Sequence, residues 1–106
     1  MSVQQQFDLT GRVALITGGT GHIGFAIATA LAEAGAAIAL VDLQEAQGDR
    51  AIDAITASAR VAGAAYVVDC ADDAAAHGLV QRVERQFGRL DVLVHSAALV
   101  GTSALE

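Results

Sequence analysis

The sequence predicts an α/β fold in which helices cover both faces of a parallel sheet, the arrangement called doubly wound. Four short apolar runs alternate with longer amphipathic segments along 106 residues. Hydrophobic residues make up 54% of the chain and aromatic residues only 4%, which suits Ala-rich helices lying on an aliphatic sheet. The links between these segments are short, which implies parallel strands joined by right-handed crossovers. We therefore expect one domain, residues 1–106, with the order β-α-β-α-β-α-β.

Each predicted strand is a run of about five mostly apolar residues. The runs cover residues 13–17, 37–41, 64–68 and 90–94. Continuous apolar runs are typical of strands that are buried on both faces of a parallel sheet. A doubly wound nucleotide-binding sheet normally has two halves. We therefore expect the first half of such a sheet, truncated after the fourth strand.

Helical periodicity fills the intervals between these strands. The first helix ends near Ala34, with Gly35 placed to cap it, because glycine accepts the left-handed conformation at a helix end. The second covers residues 45–60, and Asp72 is a candidate N-cap for the third. The predicted buried faces carry Ile23, Ile27 and Leu31 in the first helix, Ile52, Ile55 and Ala59 in the second, and Ala76, Leu79, Val80, Val83 and Phe87 in the third.

Charge and composition exclude several classes of function. The formal net charge is −6 and the six basic residues are scattered, so no basic stripe is present to bind nucleic acid. Cys70 is the only cysteine, which excludes an intrachain disulfide and a multi-cysteine metal site. No apolar run reaches the roughly 18 residues that a membrane span needs, and residues 1–6 do not resemble a signal peptide. We therefore expect a cytoplasmic protein with no membrane contact.

A glycine-rich loop separates the first strand from the first helix. Gly19, Gly21 and Gly24 fit the G-x-G-x-x-G pattern of dinucleotide-binding proteins. In that position the backbone N–H groups and the helix dipole meet a pyrophosphate, and a Cβ would block the close approach. The alternative is that these glycines only turn the chain. The strand before the loop and the helix after it favour a Rossmann-type cofactor site.

Asp42 follows the second strand, 18 positions after Gly24 (42 − 24). Dinucleotide-binding folds carry a carboxylate about 20 residues beyond the loop, where it accepts hydrogen bonds from the adenosine ribose hydroxyls. A carboxylate there repels the 2′-phosphate of NADP, and Leu43 offers no cation to bind that phosphate. The alternative is that Asp42 only caps the strand end. The sequence predicts NAD as cofactor, with NADP less favoured.

The stretch 9–19 and the glycine spacing after it resemble the short-chain dehydrogenase/reductase family. Thr17-Gly18-x-x-Gly21-x-x-Gly24 matches the extended branch of that family. Classical members carry a glycine where this chain has His22, although the flanking sequence looks classical. The subfamily therefore stays open between the two.

The resemblance implies a set of cofactor contacts. It places Asp69 at the adenine edge, with the backbone amide of Cys70 facing the adenine. His95 and Ser96 stand where the family carries two asparagines, and Ala98 replaces a glycine. The predicted cofactor-binding residues are Gly18, Thr20, Gly21, His22, Ile23, Gly24, Asp42, Leu43, Asp69, Cys70, His95, Ser96 and Ala97.

Catalytic residues of the family are missing from this chain. The family uses a Tyr-x-x-x-Lys motif with a serine upstream, but Tyr66 is the only tyrosine, and the chain has no lysine. His95 and Ser96 do not suggest a hydrolase, because neighbouring side chains in a strand point to opposite faces. The resemblance implies hydride transfer between NAD(H) and a small alcohol or carbonyl compound in a longer, homo-oligomeric parent. A non-catalytic dinucleotide-binding module and an S-adenosylmethionine-dependent methyltransferase are the alternatives.

The resemblance also implies a strand order. In the family's sheet, 3-2-1-4-5-6-7, the fourth strand is central, so here it would lie at an open edge. We therefore expect Leu93 and Val94 to face water.

Overall fold

A computed structural model describes residues 6–18 and 21–96. Its elements are β1 (Val13–Thr17), α1 (His22–Glu33), β2 (Ala37–Asp42), α2 (Glu45–Ala59), β3 (Gly63–Val67), α3 (Asp73–Phe87) and β4 (Val92–His95). This order confirms the predicted β-α-β-α-β-α-β pattern. The third strand begins and ends one residue earlier than predicted. The fourth begins two residues later and ends one residue later than predicted, and the side chain of Asp91, directly before it, accepts a hydrogen bond from the first residue of β1.

The four strands form one parallel sheet in the order β3-β2-β1-β4. Thr17 at the end of β1 is in register with Val41 of β2 and with His95 of β4. Asp42 is in register with Val67 at the end of β3. The carboxyl ends of all four strands therefore meet along one edge of the sheet.

Side chains alternate between two apolar cores, one on each face of the sheet. On one face α1 and α2 pack against a core that includes Ile16, Ile38, Leu40, Ile52 and Ile55. On the other face α3 packs against a core that includes Leu15, Val41, Tyr66, Leu79 and Val83. Helices on both faces confirm the doubly wound arrangement.

The packing of α1 differs from the prediction. Ile23 was expected to face inward, but it is 71% exposed. The buried residues of this helix are Gly24, Ala28 and Ala32, one position further along the chain. These small residues let the helix lie close to the sheet, and Ile23 is turned to the outside as a result.

The ends of the helices follow the predicted caps. Asp72 accepts hydrogen bonds from the backbone nitrogens of Ala74 and Ala75, at 3.0 and 3.2 Å. Gly35, directly after the C-cap of α1, has a φ of +106°, which confirms the need for glycine there. Between residues 6 and 18 and between 21 and 96, none of the helices combines the length and the hydropathy needed to cross a bilayer.

β4 forms one edge of the described sheet, as expected. Leu93 is 61% exposed on the face that α3 covers in part. Val94 was also expected to face water, but it is half-buried against the core beneath α1 and α2. The expectation was wrong for Val94, because that residue points to the opposite face of the sheet, where the two helices shelter it.

Candidate cofactor-binding site

A cleft of about 570 Å³ lies where the carboxyl ends of the strands meet. It brings together most of the residues that the sequence predicted to bind a cofactor. It is lined by Gly18, Gly21, Val41, Asp42, Leu43, Val68, Asp69, Cys70, Ala71, His95 and Ser96. Thr20 and Ala97, which were also predicted, lie outside the described residues.

The glycine turn forms one end of the cleft. Gly18 has a φ of +70°, a conformation that favours glycine, and its nitrogen donates to the carbonyl oxygen of Val41 at 2.9 Å. The carbonyl oxygen of Gly18 accepts from the nitrogen of Gly21 at 3.2 Å. Gly21 is the N-cap of α1 and has no side chain with which to cap the first amides of that helix. Uncapped amides at a helix N-terminus are the groups that bind phosphate oxygens.

Gly24 permits a close approach between α1 and the ends of β1 and β4. A Cβ at this position would clash with the Gly18 carbonyl and would lie 2.6 Å from Ser96 Oγ. Ser96 holds the end of β1, because its hydroxyl donates to the carbonyl oxygen of Thr17 at 2.5 Å and its backbone nitrogen donates to the same oxygen at 3.2 Å. The backbone therefore comes close to α1 at Gly24, where a side chain has no space. A backbone cradle of this kind fits the pyrophosphate of a dinucleotide.

Two carboxylates are held at the cleft by the same local geometry. Asp42 Oδ1 accepts from the nitrogen of Gln44 at 2.9 Å. Asp69 Oδ1 accepts from the nitrogen of Ala71 at 3.0 Å. Each aspartate bonds to the backbone two residues on, an arrangement typical of turns that follow a strand. The turns fix one carboxylate at the end of β2 and the other two residues after the end of β3.

His22 and Ile23 are not among the residues that line the cleft. They begin α1 and are exposed, with Ile23 at 71% and the His22 side chain also at the surface. Their position still allows the predicted approach of their backbone N–H groups to a bound pyrophosphate. That role stays a prediction.

Cys70 lies half-buried in the cleft wall. Burial raises the pKa of its thiol, and the nearby Asp69 carboxylate raises it further. A thiol with a raised pKa is a weak nucleophile, since the thiolate is the reactive form. These surroundings suit a small, half-buried packing residue and not a nucleophile.

His95 and Ser96 make separate hydrogen bonds. His95 Nδ1 lies 2.8 Å from Thr17 Oγ1, whereas the hydroxyl of Ser96 reaches the Thr17 carbonyl. Their different partners agree with the expectation that neighbouring side chains diverge. This separation gives no support to a hydrolytic pair.

Thr17 does not line the cleft, but it supports the lining residues His95 and Ser96, and sequence reasoning missed this role. It is 4% exposed, and both its hydroxyl and its carbonyl join β1 to the end of β4. Its signal in the sequence was its place at the end of the first strand, directly before Gly18. Sequence reasoning also missed three residues that line the cleft: Val41, which is in register with Thr17, Val68, which directly follows β3, and Ala71.

The parallel sheet, the backbone cradle and the carboxylate after β2 together define a nucleotide-binding α/β protein. Comparison with known proteins narrows this class. A family model described as enoyl-(acyl carrier protein) reductase, one of the short-chain dehydrogenase/reductase models, matches residues 19–106. The chain belongs to the short-chain dehydrogenase/reductase family. This assignment does not favour either the methyltransferase or the non-catalytic module considered from the sequence.

Relatives in this family are dehydrogenases and reductases of small molecules. D-threitol dehydrogenase of Mycolicibacterium smegmatis is 42% identical over 106 residues, which is 100% of this chain and 40% of the relative. The crystal structure of NAD+-bound xylitol dehydrogenase superimposes with a TM-score of 0.76 at 39% identity, covering 80% of this chain and 32% of the other. The crystal structure of NADPH-dependent 3-quinuclidinone reductase of Rhodotorula rubra superimposes with a TM-score of 0.80 at 34% identity, covering 87% of this chain and 35% of the reductase.

Two consequences follow from these comparisons. The chain spans about 40% of the length of the D-threitol dehydrogenase that it matches, and it corresponds to the dinucleotide-binding portion of the family fold. Its structural neighbours include an NAD+-bound enzyme and an NADPH-dependent one. The cofactor class is therefore a nicotinamide dinucleotide, NAD(H) or NADP(H).

Proposed function

We propose that this chain is the NAD-binding portion of a longer dehydrogenase that interconverts a small polyol and its carbonyl product. The polyol class is supported by the relatives, since D-threitol dehydrogenase and xylitol dehydrogenase are the matches at 42% and 39% identity. We expect the longer protein to be cytoplasmic and homo-oligomeric.

The observation that carries the proposal is the position of Asp42 in the same cleft as the Gly18 turn. In the proposed complex the Gly18–Gly24 loop holds the pyrophosphate, and the Asp42 carboxylate accepts hydrogen bonds from the adenosine ribose. The hydrogen bond from the Gln44 nitrogen to Oδ1 fixes this carboxylate in a turn at the end of β2. A 2′-phosphate at this place would meet a negative charge, and Leu43 beside it is apolar and 66% exposed. NAD(H) is therefore preferred to NADP(H).

Asp69 and Cys70 would hold the adenine end of the cofactor. The adenine amino group is a donor that suits a carboxylate, and a backbone N–H suits a ring nitrogen. When bound, the nicotinamide supplies hydride donation or acceptance. The residues of this chain bind and orient the cofactor.

Proton transfer to or from the substrate needs a residue outside this chain. Tyr66 is 5% exposed, its hydroxyl donates to Gln86 Oε1, and Arg82 lies over its ring at 4.9 Å. Both partners belong to α3, so the side chain of this tyrosine serves to pack α3 against the sheet. We propose that the remainder of the longer protein supplies the proton relay.

Equilibrium titration of NADH and NADPH tests the cofactor preference. The unmodified protein should bind NADH at least about ten-fold more tightly, which corresponds to about 1.4 kcal/mol. Asp42→Asn removes the charge and keeps the shape of the side chain, so it should reduce the ratio of the affinity for NADH to the affinity for NADPH. Asp49→Asn makes the same change on the exposed surface of α2 and should leave the ratio unchanged. Tighter binding of NADPH by the unmodified protein would contradict the proposal.

A further inference from the structure

The cleft carries negative charge before any cofactor enters it. Asp42 and Asp69 line it, and none of the described lining residues is an arginine or a lysine. Three of the six arginines of the chain, Arg12, Arg60 and Arg89, line a separate cleft at the amino ends of the strands. A dinucleotide adds two negative charges on its pyrophosphate. The two carboxylates repel these charges and so oppose its binding.

His95 is the lining residue, within the described part of the chain, whose side chain can become a cation near neutral pH. It ends β4, in register with Thr17, the residue directly before the Gly18 turn. Its imidazole therefore lies at the base of the loop that would hold the pyrophosphate. The Nδ1 atom of the ring is 2.8 Å from Thr17 Oγ1.

This contact persists in both protonation states of the ring. The hydroxyl oxygen of Thr17 also lies 3.5 Å from the carbonyl oxygen of Val94. When the ring is neutral, the Thr17 hydroxyl can donate to Nδ1 of His95. When the ring is protonated, Nδ1–H donates to Thr17 Oγ1, and the hydroxyl hydrogen turns toward Val94. His95 can therefore gain a proton without losing its position in the cleft.

We propose that His95 links cofactor binding to proton uptake. The protonated ring offsets the charge of the two carboxylates and attracts the pyrophosphate, so that affinity for NAD(H) rises as the pH falls from 8 to 6. This inference rests on the proposed function, because it requires a dinucleotide in the cleft. It assigns His95 a role that an asparagine at the same position cannot perform.

Other titratable groups face the same space. Asp42, Asp69 and Cys70 line the cleft, and Asp72 and Asp73 begin α3, which packs on this face of the sheet. Carboxylates ordinarily keep their charge between pH 6 and 8. Burial raises the pKa of the Cys70 thiol, which stays neutral over this range. His22, at the beginning of α1, is the competing source of a pH dependence and is tested separately.

ADP-ribose is the appropriate probe. It contains the pyrophosphate diester of NAD, it lacks the nicotinamide ring, and none of its groups titrates between pH 6 and 8. Calorimetric titration at both pH values should show binding about five-fold tighter at pH 6, which corresponds to about 1 kcal/mol. His95→Asn keeps a hydrogen-bonding atom near the place of Nδ1 but cannot become charged. This variant should bind ADP-ribose equally at both pH values.

Two matched variants locate the effect. His77→Asn, at an exposed position of α3, and His22→Asn should both keep the five-fold ratio. The inference is overturned if His22→Asn binds ADP-ribose equally at pH 6 and pH 8 while His95→Asn still binds it more tightly at pH 6. NMR titration of the histidine C2–H signals, with His95 assigned from the His95→Asn spectrum, gives an independent readout. The His95 midpoint should move to higher pH when ADP-ribose is bound, and an unchanged midpoint would overturn the inference.

The outcomes separate this inference from the proposed function. Binding of ADP-ribose with the same affinity at pH 6 and pH 8 would overturn the role of His95 and would leave the dinucleotide site intact. Failure of the folded protein to bind ADP-ribose, NADH or NADPH at either pH would overturn both.

Discussion

Asp91 Oδ2 accepts a hydrogen bond from the backbone nitrogen of Val13 at 2.9 Å. The residue before β4 is thereby joined to the first residue of β1. Arg89 forms a two-point ion pair with the same carboxylate, at 2.7 and 2.8 Å, and Arg12 lies 3.4 Å from it. At the opposite end of these strands, Thr17 bonds to the side chain of the residue in register with it. The pairing of β1 with β4 is therefore held by side chains at both ends.

The Asp91 contact predicts a loss of stability in acid. The hydrogen bonds from Arg89, and then that from Val13, hold the pKa of Asp91 at about 2, below its usual range. Because the pKa of Asp91 is lower in the folded protein than in the unfolded chain, its ionised carboxylate stabilises the fold. This stabilisation is complete above the pKa of the unfolded chain, about 4, and is lost as the pH falls toward 2. Asp91→Asn should be less stable than the unmodified protein at pH 6, and the difference should shrink below pH 4. Urea unfolding between pH 6 and 2.5 measures it, and a constant difference would contradict the prediction.

Substitution by alanine should cost much more stability at Gly24 than at Gly21. At Gly24 a Cβ would meet the Gly18 carbonyl and Ser96 Oγ, whereas at Gly21 its nearest neighbour is 3.5 Å away and φ is −73°. Gly24→Ala should lower the free energy of unfolding by about 2 kcal/mol, because overpacking forces α1 away from the sheet. Gly21→Ala should cost less, about 0.5 kcal/mol, because glycine is preferred to alanine at an N-cap but no atom blocks the added Cβ. Denaturant titration compares the two, and equal losses would show that the close approach at Gly24 does not limit α1.

Gly78 and Gly88 isolate the effect of backbone conformation on a single helix, because neither position is crowded. A Cβ at either position would have no neighbour within 4 Å, but Gly88 has a φ of +84° and caps the end of α3, whereas Gly78 lies inside the helix. Gly78→Ala should therefore stabilise the protein by about 0.8 kcal/mol, through its higher helix propensity. Gly88→Ala should destabilise it by about 1 kcal/mol, because an L side chain disfavours the left-handed conformation. Thermal unfolding measures both signs, and destabilisation by Gly78→Ala would contradict the assignment of open space.

Much of the fold and of the site's composition could be predicted from local pattern. The carboxyl ends of parallel strands meet at one edge, so Asp42 and Asp69 could be assigned to the same cleft once their strands were recognised. The contact between Thr17 and His95 could not be predicted in this way, because it depends on the register of two strands that are distant in sequence. Ile23 was misplaced for a related reason. Periodicity marks where apolar residues recur, but the side of α1 that lies nearest the sheet is set by its smallest residues.

The two edges of the sheet predict different behaviour when the 106-residue chain is expressed alone. β3 and β4 are the outer strands of the described sheet, and each carries an exposed apolar residue, Val67 at 51% and Leu93 at 61%. Apolar edge strands associate with one another because their backbone groups are unpaired on one side. In the family's strand order, 3-2-1-4-5-6-7, β3 is an outer strand and β4 an inner one, so only the surface of β4 is normally covered. We expect the isolated chain to self-associate through β4.

Lysine substitutions at the two edges test this expectation. Charged residues, lysine above all, are the usual protection of an exposed strand edge. Leu93→Lys should therefore reduce the associated fraction strongly, and Val67→Lys should reduce it little. Sedimentation velocity over a range of concentrations measures both fractions, with circular dichroism to verify that each variant keeps its helices. A monodisperse monomer of the unmodified chain would contradict the prediction outright, because an uncovered β4 would then have no consequence. An equal effect of the two substitutions would show that β3, and not β4 alone, mediates the association.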